Sequence, residues 1–296
     1  MLAFIFPGQG SQRRGMGAGL FDEVREYAAH EQEIDACVGY SMRKLCLEDP
    51  ENGLKKTQYT QPSLYIVNAL HYYKAIAQGD RPQYLAGHSV GEYNALLAAG
   101  AFDLLTGLRL VKKRGELMAK AQNGGMAAVI GLSAEKVAKL VEENHLASID
   151  IANYNAPAQS VLSGPVEDLD RAKTIFDKAG AKLYMPLMVS AAFHSRYMAE
   201  AANAFAEFLS AYSFRELKLP VLSNVMAIPY PAGDPTNTVR SLLIRQITKP
   251  VLWTQSIRYA LEHGVKTFKE TGPGAVLTKL VQQTQQEREA NALMAS

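Results

Sequence analysis

Gly87-His88-Ser89-Val90-Gly91-Glu92 places a serine between two glycines, after the short apolar run Tyr84-Leu85-Ala86 and before a segment with helical periodicity. This pattern predicts a nucleophile elbow, a sharp turn from a strand into a helix. The flanking glycines leave room for the turn, and the Ser89 hydroxyl stands at the helix N-terminus, where the helix dipole favours a developing negative charge. For the motif considered alone, an ordinary glycine-rich turn remains the alternative.

The order of apolar and periodic segments around the elbow predicts an α/β fold. The run Leu2 to Phe6 is a predicted buried strand, and helices alternate with short strands from there to the elbow. From residue 125 to residue 192 the order becomes strand, helix, strand, strand, helix, strand, which is typical of a ferredoxin-like unit. We therefore expect a large α/β domain of residues 1–124 and 193–296, with a small domain of residues 125–192 inserted into it.

Composition and charge exclude several classes of protein. The chain has 31 basic and 29 acidic residues spread along its length, so no charged surface for nucleic acid is expected. Cys37 and Cys46 are the only cysteines and fit neither a disulfide framework nor a thiolate metal site. No segment has the length and apolar character of a signal peptide or a membrane span. We expect a soluble protein of the reducing cytosol that binds neither nucleic acid nor membrane.

Other glycine-rich motifs do not fit a cofactor site. Gly8-Gln9-Gly10 follows the first strand, but Arg13 stands where a dinucleotide-binding motif needs its third glycine. No phosphate-binding loop and no metal-ligand spacing occurs, so nucleophilic serine chemistry without metal remains. The turn at Gln9 can aim backbone N–H groups into a cleft, and Gln9 is the candidate donor to an oxyanion. A plain turn at the end of a strand is the alternative.

A serine nucleophile needs a base, and His194 is the candidate. It lies in Ser190-Ala191-Ala192-Phe193-His194-Ser195, where the chain returns from the inserted unit to the large domain and where a cleft between domains is expected. His88 flanks the serine but is expected to point away from it around the tight turn. A lone histidine near apolar residues is more often a satisfied core residue, so the role of His194 depends on its pairing with Ser89.

Arg114 is the third unusual residue. It lies on the helix predicted after Asp103, at the edge of an apolar stripe formed by Leu104, Leu108, Val111 and Met118. From that edge its planar guanidinium could reach a cleft and hold a carboxylate or phosphate through two hydrogen bonds. The alternative is a side chain whose stem covers apolar surface while its charged end stays in water.

These residues together resemble the malonyl-CoA:acyl carrier protein transacylase family, including the freestanding acyltransferases that serve polyketide synthases lacking their own. The resemblance covers nearly the whole chain, and Ala192-Phe193-His194 is similar to the malonyl-selecting signature of the freestanding group. The motifs that carry it are Phe6-Pro7-Gly8-Gln9-Gly10-Ser11-Gln12, Gly87-His88-Ser89-Val90-Gly91-Glu92, Lys113-Arg114-Gly115-Glu116-Leu117-Met118, Ala192-Phe193-His194-Ser195, Arg245-Gln246-Ile247 and Gly272-Pro273-Gly274.

The resemblance implies a fold and a set of roles. The large domain would be α/β hydrolase-like with a parallel sheet, beside the small ferredoxin-like domain. Ser89 would accept the malonyl group as an ester, His194 would act as base and then acid, and Arg114 would hold the malonyl carboxylate. Phe193, next to the base, would line the substrate pocket.

Backbone groups complete the site that the resemblance implies. The N–H groups of Gln9 and Val90 would form the oxyanion hole, and the carbonyl of Gln246 would orient the base in place of a triad aspartate. Val90 replaces the leucine usual in the family, which affects local packing only. Asn153 and Asn155 correspond to a polar loop near the active site of the family.

The partners implied are malonyl-CoA and an acyl carrier protein, and we expect a monomer that needs no cofactor, since the coenzyme A thioester is itself the substrate. One alternative is an acyl hydrolase of the same fold that clears stalled carrier proteins. Such a hydrolase would be expected to lack the carboxylate-binding arginine, so Arg114 argues against it. A second alternative is a non-catalytic subunit that docks carrier proteins, which would be expected to have lost Ser89 or His194.

Overall fold

The computed structural model describes residues 1–189 and 191–294. Ser190 of the predicted small domain and residues 295–296 of the predicted large domain lie outside the described residues. The strands are β1 Leu2–Phe6, β2 Tyr84–Gly87, β3 Gly125–Ile130, β4 Asp150–Ala156, β5 Gln159–Gly164, β6 Leu183–Pro186, β7 Val221–Leu222 and β8 Thr267–Glu270. The α-helices are α1 Leu20–Glu23, α2 Arg25–Ala28, α3 Glu31–Val38, α4 Met42–Glu48, α5 Thr57–Ala77, α6 Gly91–Ala98, α7 Leu104–Ala119, α8 Ala134–Glu143, α9 Val166–Lys178, α10 Ala199–Leu209, α11 Pro235–Thr248, α12 Trp253–Glu262 and α13 Val276–Met294. Short 3₁₀ helices cover Pro50–Lys55 and Arg196–Met198.

The sheet of the large domain has four strands in the order β7-β2-β1-β8, and every neighbouring pair in it is parallel. Its central strand β1 is buried from Ala3 to Phe6. A continuous apolar run of this kind is typical of a parallel strand that is covered on both faces. The arrangement confirms the predicted α/β fold with a parallel sheet.

The second sheet is antiparallel, with the order β4-β5-β3-β6, and it has a hydrophobic core of its own. Helices α8 and α9 connect its strands in the order expected of a ferredoxin-like unit. A methyl group on Gly124 would lie 2.5 Å from the backbone nitrogen of Ala192, so the chain enters and leaves this unit at adjacent points. This proximity supports an insertion, and the boundaries at 125 and 192 stay a prediction.

A local cap sets where helix α11 begins. The Asp234 carboxylate accepts from Thr236 N–H, and proline suits the first helical position, so the helix starts at Pro235. Strand β6 ends at Pro186, and helix α13 continues to Met294.

The elbow depends on close packing of α6 against the end of β1. A methyl group on Gly91 would lie 2.1 Å from the Phe6 carbonyl oxygen, and one on Gly87 would lie 2.0 Å from the backbone of Gly91. Backbone atoms cannot move aside as the end of a flexible side chain can. The two glycines therefore allow the helix to start directly above the strand end.

We predict that Gly91→Ala lowers the free energy of unfolding by at least about 1–3 kcal/mol, the usual cost of inserting a methyl group into a filled space. Gly125→Ala is the control, since its methyl group would meet only side-chain atoms of Val166 and Leu169, at 3.3 and 3.4 Å. Urea denaturation of both variants measures the difference. Equal losses of unfolding free energy in the two variants would show that the close contact between β1 and α6 is not the reason why residue 91 must be a glycine.

Candidate active site

Ser89 lies between β2 and α6 in a backbone conformation that is unusual for a residue with a side chain. Its φ is 52°, in the left-handed region. The side chain of Asn224 stabilises this turn, because Ser89 N–H donates to Asn224 Oδ1 at 2.7 Å and Asn224 Nδ2 donates to the Gly87 carbonyl at 2.6 Å. Strained backbone of this kind persists where the surroundings fix it, which is common at functional sites.

The structure brings His194 to Ser89, as the sequence predicted for the pair. His194 Nε2 lies 2.7 Å from Ser89 Oγ, and its Nδ1 lies 2.8 Å from the backbone carbonyl oxygen of Gln246. A carbonyl only accepts, so Nδ1 carries the proton and Nε2 is left as the acceptor for the serine hydroxyl. The geometry is that of a nucleophile paired with a base.

The imidazole of His194 is held in its neutral form. Burial and, after it, the nearby charge of Arg114 together lower the pKa of His194 to about 3, although the hydrogen bond to the Gln246 carbonyl acts in the opposite direction. A neutral imidazole is the form that accepts a proton.

His88 and the two asparagines form a separate contact beside this pair. His88 Nε2 lies 2.8 Å from Asn155 Oδ1, and its ring meets the edge of Trp253. Asn153 and Asn155 lie on strand β4 and are buried, so their predicted place in a loop was wrong. Both asparagines border the same cavity as Ser89.

Arg114 lies in the middle of the site, with none of its surface exposed. Its Nη1 donates to Gln61 Oε1 at 2.7 Å, and its Nη2 donates to Ser89 Oγ and to Gln246 Oε1, both at 3.1 Å. Burial lowers the pKa of Arg114, but a guanidinium remains charged in proteins.

Helical geometry places Arg114 at the edge of the apolar stripe, as predicted, because it lies just outside the arc of Leu104, Leu108, Val111 and Met118. The buried face of α7 is wider than this stripe, since Leu110 and Leu117 are buried as well, and Arg114 lies within that wider face. The alternative of a side chain reaching water is excluded by its complete burial.

A cavity of about 140 Å³ joins these groups. Ser89, Arg114, His194 and Phe193 border it together with Gln9 and Val90, while Met118, Met126, Val161, Leu187 and Val189 supply apolar wall. Within the described residues, the backbone N–H groups of Gln9 and Val90 donate no hydrogen bond to other parts of the protein. Two residues whose backbone N–H groups are unengaged therefore border the same small cavity as the serine.

Three parts of the site were missed by the sequence analysis. They are Gln61, the side chain of Gln246 and Glu92, which is buried three residues after Ser89. Glu92 gives a signal, since it is the only charged residue in the helix Gly91–Ala98. Gln61 and Gln246 reach the site through hydrogen bonds to Arg114, which is distant from both in the sequence. The pattern of a single sequence does not reveal such contacts.

Residues 3–295 match the acyl transferase domain family, and the chain belongs to that family. The polyketide biosynthesis malonyl CoA-acyl carrier protein transacylase BaeC of Bacillus velezensis is 50% identical to it, over 99% of this chain and 100% of that protein. The malonyl CoA-acyl carrier protein transacylase of Escherichia coli K12 is 38% identical, over 98% and 95% of the two chains. The resemblance to these transacylases is thereby confirmed.

Solved structures agree with this assignment. The malonyl CoA-acyl carrier protein transacylase of Burkholderia pseudomallei superposes with a TM-score of 0.90 and 46% identity, covering 97% of this chain and 98% of that one. A malonyl-transacylase in complex with its type II polyketide synthase acyl-carrier protein superposes with a TM-score of 0.89 and 35% identity, covering 96% and 92%.

Neither a cluster of metal ligands nor a membrane-spanning helix occurs among the described residues. No group of three or more His, Cys, Asp or Glu side chains in residues 1–189 and 191–294 is placed to hold a metal ion. None of the helices in the same part of the chain combines the length and apolar character needed to cross a membrane.

We predict that the reactivity of Ser89 does not fall when the pH is lowered through the ordinary pKa of histidine. Because the pKa of His194 is lowered to about 3, the base stays neutral in mild acid. The rate of Ser89 modification by a fluorophosphonate, which requires an activated serine, should stay flat from about pH 8 to about pH 5. A half-maximal rate near about pH 6.5, the value for an ordinary histidine, would contradict this electrostatic account.

Proposed function

We propose that the protein transfers a malonyl group from malonyl-CoA, through an ester on Ser89, to the phosphopantetheine thiol of an acyl carrier protein. The observation that carries the proposal is that Ser89 Oγ lies 2.7 Å from a neutral histidine and 3.1 Å from a buried guanidinium. The first contact supplies a base for acyl transfer, and the second supplies a partner for a carboxylate. The names of the relatives support the same substrate pair.

The first half-reaction acylates Ser89. His194 Nε2 takes the hydroxyl proton as Oγ attacks the thioester carbonyl carbon, and the oxyanion that forms accepts hydrogen bonds from the N–H groups of Gln9 and Val90. The Gln246 carbonyl, bonded to Nδ1–H, stabilises the imidazolium. The intermediate then collapses, the carbon–sulfur bond breaks, and the coenzyme A thiolate takes the proton from His194.

The second half-reaction is the reverse with a different thiol. The phosphopantetheine thiol gives its proton to His194 and its sulfur attacks the ester carbonyl carbon. The carbon–oxygen bond to Ser89 breaks, and Oγ recovers the proton from Nε2. No step uses a metal or a redox cofactor.

Arg114 and Phe193 define the acyl group in this proposal. The terminal nitrogens of Arg114 border the cavity beside Ser89, where a malonyl ester would carry its free carboxylate. Phe193 is fixed by its backbone, whose carbonyl accepts from the Ser163 hydroxyl at 2.9 Å, and its side chain is buried. We assign it the exclusion of a methyl branch on the carbon between the two malonyl carbonyls.

The cellular setting is also part of the proposal. Two relatives at 50% identity are named for polyketide biosynthesis, against 38% for the Escherichia coli enzyme, which favours a carrier protein of a polyketide synthase. All of the groups in the mechanism come from one chain, which supports action as a monomer. Cys37 and Cys46 are free thiols, as expected in the reducing cytosol.

We predict that incubation with malonyl-CoA adds one malonyl group to the protein and that Ser89→Ala abolishes the adduct. Intact-mass spectrometry of both proteins measures this directly. Ser11→Ala is a suitable control, because Ser11 is a buried serine two residues after Gln9, and its hydroxyl pairs with no histidine among the described residues. An adduct that persists on Ser89→Ala, or that disappears with Ser11→Ala, would overturn the assignment of the nucleophile.

We predict that Arg114→Ala selectively lowers malonyl loading. Removing the guanidinium leaves a desolvated carboxylate unpaired, at a cost of roughly 3–5 kcal/mol. This corresponds to a loss of roughly a hundred- to several-thousandfold in kcat/KM for malonyl-CoA, at about 1.4 kcal/mol per factor of ten. Acetyl-CoA has no such carboxylate, so its loading should stay the same or improve. Arg114→Lys should not restore malonyl loading, because an ammonium supplies charge without two parallel donors.

Arg109→Ala is the control for this comparison, because Arg109 lies on the same helix and is exposed. Parallel losses for malonyl and acetyl would mean that Arg114 is only structural. Release of free malonate by the wild-type protein faster than transfer to any carrier protein would favour an acyl hydrolase instead.

A further inference from the structure

Glu92 is a buried carboxylate to which the transfer mechanism gives no role. Its side chain is 1% exposed and makes no salt bridge with any described residue. Three donors satisfy it instead. Oε1 accepts from the backbone N–H of Asn224 at 3.1 Å and from the Tyr230 hydroxyl at 2.8 Å, and Oε2 accepts from Nε2 of Gln246.

Gln246 connects this carboxylate to the guanidinium of Arg114. Its Nε2 donates to Glu92 and also to the Ser89 carbonyl at 2.9 Å, while its Oε1 accepts from Arg114 Nη2 at 3.1 Å. An amide flipped by 180° would turn its oxygen toward two acceptors and its NH₂ group toward a cation. An ionised carboxylate only accepts, so Glu92 requires the NH₂ group on its own side.

We propose that Glu92 is a positioning residue that fixes the amide of Gln246 and thereby holds Arg114 in place for the carboxylate of the acyl group. The inference rests on the proposed function, because it concerns the residue that receives the malonyl carboxylate there. Glu92 then favours acyl groups with a free carboxylate, although it lies behind Gln246 and touches no substrate.

The variant Glu92→Gln shows how the effect would arise. The new side chain keeps the size of glutamate but replaces one acceptor oxygen with a donor. Its oxygen is best placed toward Asn224 N–H and Tyr230, so its NH₂ group meets Gln246 and forces that amide to flip. Arg114 then loses an acceptor and faces a donor. Loss of a hydrogen bond to a charged group predicts a fall of roughly ten- to hundredfold in the ratio of malonyl to acetyl loading.

Protonation of Glu92 should act in the same direction. Burial raises the pKa of Glu92 to about 7, against the lowering effects of its three hydrogen bonds and of Arg114. The titratable or charged groups near it are Arg114, Tyr93 and Tyr230. Protonation turns one acceptor oxygen of Glu92 into a donor that faces other donors, so the carboxyl group no longer fixes the amide of Gln246. The ratio of malonyl to acetyl loading in the wild type should therefore fall as the pH drops through about 7. Acetyl loading should change little, since the pKa of His194 is lowered to about 3.

The test is a double-mutant cycle on the ratio of malonyl to acetyl loading, measured as kcat/KM for each thioester. It uses Glu92→Gln, Gln246→Met, the double variant and the control Glu116→Gln. Methionine keeps the backbone carbonyl that holds His194 but has no amide to orient. Glu116 lies two residues from Arg114 and pairs with Lys112 at 2.6 Å, so its variant removes one negative charge nearby without touching the site.

We expect each single variant at Glu92 or Gln246 to lower the ratio, the double variant to lower it no further, and Glu116→Gln to leave it unchanged. A folded Glu92→Gln protein with the wild-type ratio would overturn the proposal, as would a double variant whose loss is the product of the two single losses. If Glu92→Gln does not fold, Gln246→Met decides, because a wild-type ratio in that variant contradicts a role for the amide that Glu92 orients.

These outcomes are distinguishable from failure of the proposed function. If Arg114→Ala lowers malonyl and acetyl loading equally, the carboxylate site itself is wrong. If Arg114→Ala separates the two substrates and Glu92→Gln does not, only the role of Glu92 is wrong.

Discussion

A positive charge without exposed surface lies at the centre of this structure. Burying an unpaired ion costs several kcal/mol, so the guanidinium of Arg114 needs compensation from its surroundings. Among the described residues no carboxylate lies within salt-bridge distance of it, and Gln61, Ser89 and Gln246 provide acceptors instead. A cation held by neutral acceptors beside a cavity is well suited to bind an anion that arrives with the substrate.

The site is assembled from segments that are far apart in the chain. Gln61 comes from α5, Ser89 from the elbow, Gln246 from α11, and His194 from the segment after the small sheet. Both Ser89 and His194 have positive φ, 52° and 56°, a conformation that costs about 1–3 kcal/mol for each residue with a side chain. Contacts such as the hydrogen bonds of Asn224 hold this geometry, so the catalytic pair depends on the packing of the whole large domain.

Local patterns predicted the parts of the fold that depend on neighbours in sequence. The glycines of the elbow and the strand pattern of β1 act within a few residues, and each appears in the structure as expected. The complete burial of Arg114 was not predicted, because an arginine without exposed surface contradicts the usual partition of charge to the surface. The network of Glu92, Asn224 and Gln246 depends on contacts between distant segments and has no local signature.

In the mechanism proposed here, Arg114 exchanges its hydrogen bond to Ser89 for the carboxylate of the acyl group. A crystal structure of the malonylated protein, trapped after reaction with malonyl-CoA, tests this exchange most directly. We expect the two carboxylate oxygens to lie roughly 2.7–2.9 Å from the terminal nitrogens of Arg114, the usual spacing of a charged bidentate pair. A malonyl group on Ser89 whose carboxylate points into solvent, away from Arg114, would contradict it.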